Sequence, residues 1–441
     1  MVRAGLLFVA LTLFTCKPSL DWSGYPCDQT RPCMSGWSCE KGVCVPGGKT
    51  EVVEDTTVSE APLDLAEVPK GRGLNGPPKI GFLYVGPVGD HGWTKAHDDG
   101  RKYLEQTIPG VFTEFAPSIS AADAPAKIEE FIANGDNIII GTSYDFILAI
   151  QNGAANHPDI NFLICSGFIT SPNMGSYFGR MYQVKWLAGK VAGSMTKTKH
   201  IGVVAPVPIA EVIRHINAFT RGVRSVAPDA VVEVIWIYNW FDTEKEPKAT
   251  QDLVDHGADV VFSMTDTTIP LETSAHLKTK EGAPVWSIGY DNLDSCKFAP
   301  DTCLAAAGWN WGPLVAAQVK AMIEGTWDPL PPIWEQMKED PAQSSVYLQL
   351  NEKTVPGTVR VEVESFIPKL ASPGVEGQQL PFLPPVKDNT GKVRLSGDKR
   401  FTDKDLLRMC WFVEGVVEVV ESDAGTSTKP AVVPSSCVGD R

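Results

Sequence analysis

With 441 residues, of which 43% are hydrophobic and 21% charged, the chain has the composition of a globular protein and is long enough for more than one domain. Its formal charge of −14 at pH 7 argues against nucleic acid or an anionic membrane surface as a partner, because both require a basic face on the protein.

The first residues have the features of an export signal. Arg3 supplies a positive charge, and residues 6–14 form an apolar core that is too short to span a bilayer, which takes about 20 residues. Leu13-Phe14-Thr15-Cys16 follows and resembles a bacterial lipobox, in which the cysteine is lipidated after cleavage. We therefore expect a signal peptide at 1–15 and a lipid anchor at Cys16; the alternative is plain secretion after cleavage nearby.

The segment 16–45 is predicted to be a small disulfide module. Gly, Pro and Ser separate its four closely spaced cysteines, Cys27, Cys33, Cys39 and Cys44. Abundant cysteine favours an oxidising compartment, so we expect two disulfides here. Zinc is the alternative, but the segment has no Cys-x2-Cys pair. Residues 46–78, with Gly, Pro and acidic residues and no hydrophobic period, are predicted to be a flexible linker.

The later cysteines are predicted to serve the globular part. Cys296 and Cys303 bracket a short loop and are expected to pair, and Cys410 and Cys437 are a second candidate pair. Cys165 stands in an apolar strand and is expected to be a buried free thiol.

From residue 79 the sequence alternates between apolar strand patterns and helix patterns, twice over. The predicted strands begin near Ile80, Val111, Ile138 and Asn161, and then near Ile201, Val231, Val260 and Val285. The predicted helices between them are Thr94–Gln106, Ala124–Asn134, Asp145–Asn156, Ala210–Val226, Lys245–His256 and Leu271–Thr279, and a further helix, Tyr182–Met195, joins the two sets. This alternation predicts an α/β protein of two Rossmann-like lobes, each with a parallel sheet, around a ligand cleft.

The later part of the chain is predicted to complete these lobes. Its candidate elements are a strand at Leu304–Trp309, a helix at Gly312–Glu324, a strand at Val346–Leu350 and a helix at Asp403–Val413. We expect a binding domain at 79–420, with one lobe at 79–198 plus 304–330, the other at 199–303, and the remainder as a C-terminal hinge. Residues 421–441 are predicted to be a disordered tail.

Candidate ligand contacts lie where the predicted strands end, because ligands of open α/β sheets bind outside the carboxyl ends of the strands. The turn Gly86–Trp93, between the first strand and its helix, brings three of them. The full set is Asp90, His91, Trp93, Thr142, Ser143, Tyr144, Phe168, Trp240, Phe241, Thr265, Asp266, Gly289, Asp291, Trp309 and Asn310; Ser166, Pro208, Tyr290 and Trp311 lie at the same ends.

This set combines aromatic rings with a few carboxylates and hydroxyls. The rings would stack on a planar ligand, and Asp266 and Asp291 would accept hydrogen bonds from it. A purine, with or without ribose, satisfies both requirements, and a sugar satisfies them with fewer stacking surfaces. The alternatives are core packing for each aromatic residue and helix capping for an aspartate, especially Asp145 and Asp242.

Catalytic motifs do not emerge from the sequence. It has no Gly-x-Ser-x-Gly elbow and no Gly-x4-Gly-Lys-Ser/Thr loop, and the glycines of residues 86–92 do not match the dinucleotide fingerprint. Possible metal ligands are His91, His97, Asp98 and Asp99, but no cysteine or second histidine motif supports a metal site. A solvated helix face is the simpler interpretation. We expect no enzyme, no cofactor and no metal.

Several blocks resemble the basic membrane protein (Bmp, PnrA-like) family of substrate-binding lipoproteins of ABC transporters. They run in collinear order from about residue 79 to 420: Tyr84–Glu105, Pro208–Thr220, Asn239–Asp242, Gly257–Val260, Asn310–Pro313 and Met409–Val416. The resemblance implies a type I periplasmic-binding-protein fold and a purine nucleoside or purine base as ligand.

The resemblance also implies roles for single residues. Asp90 and Trp93 match the family positions that meet the base, Thr142 to Tyr144 match the loop after the third strand, and Gly289 and Asp291 match the pair that meets ribose. His91-Gly92-Trp93 stands where the commoner family form has Ser-Phe-Asn, so a side-chain amide is missing here.

These expectations combine into one function. We expect a monomeric receptor, lipid-anchored in a bacterial cell envelope, that delivers a purine nucleoside or base to an ABC permease. The alternatives are a ligand sensor of the same fold that signals to a membrane partner, and a nucleoside hydrolase, for which no motif is present.

Overall fold

The structure is a computed structural model that describes residues 37–40, 43–46, 73–167, 169–422, 425–434 and 437. The chain divides into two compact units, residues 1–66 and 67–441. In the first, β1 (Trp37–Glu40) and β2 (Val43–Pro46) form an antiparallel hairpin in which Cys39 lies opposite Cys44. Cys16, Cys27 and Cys33 lie outside the described residues, so the lipid anchor and the disulfide module stay predictions.

The second unit contains the predicted α/β elements in the predicted order. The elements of the first half are β3 (Lys79–Leu83), α1 (Trp93–Thr107), β4 (Phe112–Ala116), α2 (Ala124–Ala133), β5 (Ile138–Gly141), α3 (Ile147–Asn156), β6 (Asn161–Cys165), β7 (Met174–Gly179) and α4 (Met181–Met195). Those of the second half are β8 (His200–Ala205), α5 (Ala210–Val226), β9 (Val231–Trp236), α6 (Lys245–His256), β10 (Val260–Ser263), α7 (Ile269–His276), β11 (Trp286–Asp291), β12 (Cys303–Trp309) and α8 (Trp311–Glu324).

The remaining elements are short and complete the two sheets or cover them. They are β13 (Ile333–Glu335), β14 (Val346–Leu350), α9 (Gly357–Glu364), α10 (Ile367–Ala371), α11 (Val375–Gln379), β15 (Val386–Lys387), β16 (Val393–Leu395), α12 (Asp403–Leu407), β17 (Val416–Ser422) and β18 (Gly425–Pro430). Short 3-10 helices lie at Tyr144–Phe146, Ser295–Phe298 and Leu380–Phe382.

Two sheets define two lobes. The first lobe is built on a six-stranded sheet in the order β13-β7-β6-β5-β3-β4, in which every pair is parallel. The second lobe is built on an eight-stranded sheet in the order β14-β12-β11-β10-β8-β9-β17-β18, in which only the outermost strands, β14 and β18, are antiparallel to their neighbours. Central strands such as β5 and β10 are buried at every residue, as expected for parallel strands covered on both faces.

The structure corrects one predicted boundary between the lobes. Strand β12, which we assigned with the first lobe, pairs with β11 in the second sheet, and only α8 after it packs against α1 of the first lobe. The contact is close: a Cβ atom added at Gly100 would lie 3.0 Å from the Cβ of Trp311. The chain therefore crosses between the lobes three times: through α4, between β12 and β13, and between β13 and β14.

The C-terminal region differs most from its prediction. The predicted tail is wrong from its first residues, because β17 runs to Ser422 and pairs with β18. The helix predicted at 403–413 ends at Leu407. Beyond it the chain is extended along α5, where Asn217 accepts a hydrogen bond from the Val413 amide at 2.9 Å and donates one to the Trp411 carbonyl at 2.7 Å.

Helix α4 is buried on the second lobe. It packs against α5, β12 and β14, and glycines allow the two helices to touch through their backbones. A Cβ added at Gly189 would lie 2.1 Å from the carbonyl oxygen of Phe219, and one added at Gly222 would lie 2.1 Å from that of Trp186. The carboxylate of Asp259 then holds the chain that leaves α4, accepting from the Thr196 hydroxyl and the amides of residues 197 and 198.

The expected disulfides of the globular unit are confirmed. Cys296 bonds to Cys303, and Cys410 bonds to Cys437. Cys165 is a buried free thiol, as its apolar strand predicts. No helix in the part of the chain that the structure describes is long and apolar enough to cross a membrane.

One buried carboxyl group stands at the amino end of β5. Asp136 is 1% exposed and lies beside Glu114 of β4. Burial, and then the neighbouring carboxyl group of Glu114, raise the pKa of Asp136 to about 7, although Lys79 lowers it.

Candidate functional site

A cavity lies between the carboxyl ends of the two parallel sheets. About 520 Å³ there is not filled by protein atoms, and part of this space is open to solvent. Both lobes contribute to this cleft cavity. Its lining is Val85, Trp93, Ser143, Tyr144, Ser166, Pro206, Glu211, Val212, His215, Trp240, Met264, Asp266 and Tyr290. Five of the predicted ligand contacts are among them: Trp93, Ser143, Tyr144, Trp240 and Asp266.

The turn before α1 positions the first lobe's contribution. Asp90 caps the helix, because its carboxylate accepts from the amides of Gly92, Thr94 and Lys95 at 2.8–3.0 Å. Burial raises the pKa of Asp90, and these hydrogen bonds lower it. The carboxylate of Asp90, a predicted ligand contact, is thus engaged in capping the helix. The residue lines a groove beside the cavity together with Phe241.

His91 and Gly92 bring this turn against the second lobe. His91 has φ +61° and sets its ring 4.6 Å from that of Phe298, in the loop that the Cys296–Cys303 disulfide closes. At Gly92 the approach is closer still, since an added Cβ would lie 1.9 Å from the carbonyl oxygen of Asp266. The two lobes therefore touch through this turn, and glycine is needed where they meet.

Trp93 is the first residue of α1, and it both faces the cavity and packs in the core, the two positions considered for it. It lines the cavity, but it is only 9% exposed and its indole N–H donates to the carbonyl of Thr142 at 2.8 Å. Its ring meets those of Trp309 and Trp311 edge-on, and these two stack at 4.4 Å. Trp93 is therefore a rigid wall whose polar atom is already engaged.

The loop after β5 supplies a hydroxyl and an aromatic ring. Ser143 is buried and accepts from the Asp145 amide, and Tyr144 beside it is 38% exposed over the cavity. Thr142 faces away, donating its hydroxyl to the carbonyl of Leu83 at 2.7 Å. Of the predicted Thr142–Tyr144 contacts, the last two line the cavity.

A hydrogen bond crosses the cleft between residues that follow different sheets. Ser166, after β6, donates to the carboxylate of Glu211 in the first turn of α5 at 2.5 Å. Burial raises the pKa of Glu211, whereas Ser166, Arg214 and Lys185 lower it. Ser166 has φ +63°, as does Asp291. Such left-handed backbone is uncommon outside glycine and gathers at binding sites, and here it occurs at three points of one cleft, with His91 as the third.

Asp266 and Asp291 supply the carboxylates of the second lobe. Asp291 is fully buried below the cavity, where one oxygen accepts from the Trp309 indole at 2.9 Å and the other has no partner among the described residues. Burial raises the pKa of Asp291 well above its usual range, against the opposing effect of Lys185. Asp266 lines the cavity itself and is 7% exposed.

His215 is a cavity residue that the sequence reasoning missed. It lies one turn after Glu211 on the same face of α5, is 2% exposed, and its Nε2 has no hydrogen-bond partner among the described residues. Burial and the nearby cations lower the pKa of His215 well below its usual range, so the imidazole is neutral. The (i, i+4) spacing of Glu211 and His215 at a helix start after β8 was the available signal.

The remaining predicted contacts are not in the cavity. Gly289 is inside β11, where an added Cβ would meet Ser295 at 2.2 Å, and Thr265 is fully buried beside Asp266. Asn310 donates to the carbonyl of Pro341 on another surface. Phe168 lies outside the described residues. Within the described ranges no group of three His, Cys, Asp or Glu side chains could hold a metal ion.

Comparisons with known proteins match most of the α/β part of the chain. A family model described as the PnrA-like ABC transporter substrate-binding protein (Bmp) matches residues 78–340. A protein of Brucella abortus named as purine-binding is 34% identical over 340 residues, which cover 77% of this chain and 92% of that protein. A putative ABC transporter glucose-binding protein of Haloferax volcanii is 32% identical over 247 residues, covering 56% of this chain and 61% of that protein.

The solved structures bear on the fold alone. An ABC transporter solute-binding protein from Conexibacter woesei matches with a TM-score of 0.53 at 18% identity, covering 67% of this chain and 96% of that one. This likeness, with the two parallel sheets, confirms the expected periplasmic-binding-protein architecture.

Proposed function

The chain belongs to the Bmp family of PnrA-like substrate-binding proteins of ABC transporters, and from that premise we propose that it captures a purine base or purine nucleoside between its lobes and delivers it to an ABC permease. It is a solute-binding protein and not an enzyme. The observation that carries the proposal is the cleft cavity, with its aromatic walls and its polar atoms that have no partner within the described protein.

The aromatic walls favour a flat ligand. Trp93, Tyr144, Trp240 and Tyr290 line the cavity from both lobes. Rings of this kind gain dispersion and stacking energy against a planar heterocycle. A sugar needs fewer stacking surfaces than the cavity offers, although a relative is named as glucose-binding. The purine is therefore the better match to the walls.

The polar atoms favour a ligand with hydrogen-bonding edges. The neutral imidazole of His215 presents an Nε2 that has no partner among the described residues, and Asp266 of the same lobe also lines the cavity. Buried polar atoms left unpaired cost about 1–3 kcal/mol each, so a ligand that pairs with them gains affinity and selectivity. The edges of a purine supply both donors and acceptors.

Export and anchoring extend the proposal to the amino terminus. The lipobox-like Leu13–Cys16 supports lipid attachment at Cys16, and the linker 46–78 would hold the binding unit away from the membrane. Replacing Cys16→Ser and following membrane retention tests this part: a variant that stays in the membrane fraction as the wild type does would contradict it.

Calorimetry with the purified binding unit tests the ligand. We expect binding by at least one member of a panel of adenine, hypoxanthine, adenosine, inosine and guanosine, and none by glucose. Tyr144→Ala should weaken that binding by about 1–3 kcal/mol, the usual value for a lost stacking contact. Phe112→Ala, an aromatic change on the exposed edge strand β4, is the matched control and should leave the affinity unchanged.

Delivery requires a cellular assay. Uptake of the labelled ligand should fall when the protein is deleted and return with the wild-type chain. Binding in vitro without any effect on uptake would favour the sensing alternative over transport.

A further inference from the structure

A second pocket lies in the second lobe, between the last turns of α5 and the C-terminal segment that runs along this helix. Its volume of about 340 Å³ is enough for a group much larger than a water molecule. Glu211 in the cleft cavity and Arg224 in this pocket are 224 − 211 = 13 positions apart on α5, which is about 20 Å at about 1.5 Å per residue. The pocket is therefore separate from the cleft. The lining of this basic pocket is Arg221, Arg224, Ser225, Pro385, Lys387, Val413 and Glu414.

Arg221 brings a positive charge to the basic pocket without an opposite charge beside it. Its guanidinium donates to the carbonyls of Pro381, Leu383 and Pro385 at 2.6–3.3 Å, and it forms no ion pair with any residue that the structure describes. Burial lowers the pKa of Arg221 to about 10, and no carboxylate is among the groups that shift it. Three neutral carbonyls occupy three of the five N–H donors of an arginine, so donors and charge remain for an anion.

Arg224 and Lys387 add two further charges. Nη1 of Arg224 donates to the Ala230 carbonyl at 3.0 Å, whereas Nη2 is 3.7 Å from the carboxylate of Glu414, whose side chain is 60% exposed. So long and so solvated a pair neutralises little of the charge. The Cβ that Gly415 lacks would collide with the Cδ of Arg224, so the arginine is packed in place. Lys387 is exposed and has no ion pair within the described part of the chain.

A fourth cation stands behind the pocket. Nζ of Lys190, on α4, donates to the hydroxyl of Ser225 at 3.2 Å and lies 3.7 Å from Glu362, whose side chain is 55% exposed. The nearby carboxylate of Asp388 accepts from Arg394 at 2.8 Å. The four cations and the two exposed glutamates leave a local charge of 4 − 2 = +2. This excess occurs in a chain whose formal charge is −14, so it does not follow from the overall composition.

We propose that the basic pocket is a binding site for a phosphate group, held by Arg221, Arg224 and Lys387. Guanidinium groups match phosphate oxygens with paired N–H donors, and hydrogen bonds between charged groups are the strong ones. A phosphate monoester carries a charge of about −1.5 to −2 and three acceptor oxygens, which balances the local excess better than a carboxylate does. Inorganic phosphate, a small phosphomonoester and a lipid headgroup share this chemistry. The site is independent of the purine proposed for the cleft.

Calorimetry of the full chain with methyl phosphate, in chloride buffer of constant ionic strength, tests the site. We expect saturable one-to-one binding. Lys387→Glu should weaken it about 5- to 20-fold, because a cation facing the anion becomes a carboxylate. Lys280→Glu makes the same change of charge at an exposed position between α7 and β11 and should alter the affinity by no more than about twofold. Glu414→Gln removes the carboxylate of the lining and should strengthen binding severalfold, a gain that misfolding cannot produce.

A soluble short-chain phosphatidic acid, used below the concentration at which it forms micelles, distinguishes the sources of the phosphate. Binding about tenfold tighter than that of methyl phosphate assigns the pocket to a lipid headgroup, since the acyl chains then bury apolar surface, and equal affinity assigns it to a phosphate in solution. No saturable binding of methyl phosphate, or binding that Lys387→Glu weakens no more than Lys280→Glu does, would overturn the proposal. Neither result bears on purine binding in the cleft.

Discussion

Adding a single methyl group at Gly92 should weaken ligand binding and leave the stability of the fold nearly unchanged. Gly92 lies in the turn between β3 and α1, where the first lobe touches the second, and an added Cβ would be 1.9 Å from the carbonyl oxygen of Asp266. Both sides of this contact are backbone, so neither can turn away as a side chain would. The Gly92→Ala variant can therefore avoid the clash only by separating the lobes.

The size of the effect follows from that distance. Ordinary contacts of a Cβ atom begin at about 3.4 Å, so the loops must move apart by 3.4 − 1.9 = 1.5 Å. Forcing an extra methyl group into a packed contact costs about 1–3 kcal/mol. Because the clash exists only when the lobes are in contact, this cost falls on the ligand-binding arrangement, and the affinity should drop about 5- to 150-fold.

Calorimetry with the tightest purine of the panel measures the affinity, and thermal unfolding without ligand measures the stability. We expect a weaker affinity with a nearly unchanged melting temperature. Gly89→Ala is the matched control, because Gly89 is in the same turn and has no atom within 4 Å of its added Cβ. Wild-type affinity in Gly92→Ala, or an equal loss in both variants, would refute the reasoning.

Three further predictions concern other parts of the molecule. Folding raises the pKa of Asp136 to about 7, so between about pH 4 and pH 7 the folded state binds more protons than the unfolded state, and the free energy of unfolding should fall with rising pH; Asp136→Asn should flatten this slope in urea unfolding, and an unchanged slope would contradict it. Trp93→Phe keeps an aromatic wall but removes the indole donor to the Thr142 carbonyl, and should destabilise the fold by about 1–2 kcal/mol in chemical unfolding; no loss would show that the hydrogen bond is unimportant. Replacing both cysteines of the Cys410–Cys437 bond by serine should cost about 3.5 kcal/mol against about 2.4 for the Cys296–Cys303 bond, because the first closes the longer loop, with separations of 27 and 7 residues; the reverse order of melting temperatures would refute the chain-entropy argument.

The core strands could be predicted because their own residues specify burial on both faces. Ile138-Ile139-Ile140 and Val260-Val261-Phe262 are continuous apolar runs, which is the pattern of central parallel strands. Strand β7, Met174–Gly179, has two glycines, a serine and no β-branched residue, and it is buried because of what packs around it. Only Tyr177 and Phe178 favour a strand locally, and two aromatic residues are too few to mark one.

The strands β17 and β18, at one edge of the second sheet, could not be assigned for a related reason. Pairing of β17 with β9 joins Val416 to Val232, which are 184 positions apart, and β18 is positioned by its neighbour β17. The Val-rich residues after Gly415 are compatible with a strand, but the composition of so short a segment does not distinguish a strand from a disordered tail. Only the partner strand decides between the two.

The site shows the same division between local and long-range information. Ser143, Tyr144 and Asp266 follow strands, so the rule for parallel sheets places them at the cleft. Glu211 and His215 project from the first turns of α5. Glu211 accepts a hydrogen bond from Ser166 of the other lobe, a contact that only the folded structure shows. Asp90 was predicted at the correct rim, but helix capping by a carboxylate and ligand contact look the same in a sequence.

The backbone contact between α4 and α5 determines where the molecule is able to bend. Gly189 and Gly222 bring the two helices so close that α4 must travel with the second lobe as one rigid piece, and Asp259 fastens the residues that follow it. The first crossing is therefore left with flexibility only at its start, between Gly179 of β7 and Met181 of α4. Arg180 occupies that point and forms a two-pronged ion pair with Asp403. Distances change little close to a hinge, so we expect a pair of fluorophores on either side of residue 180 to show a constant energy transfer when ligand binds. A pair placed across the rims of the two lobes should show a change in energy transfer on binding, which makes the chain a scaffold for a ligand-reporting sensor.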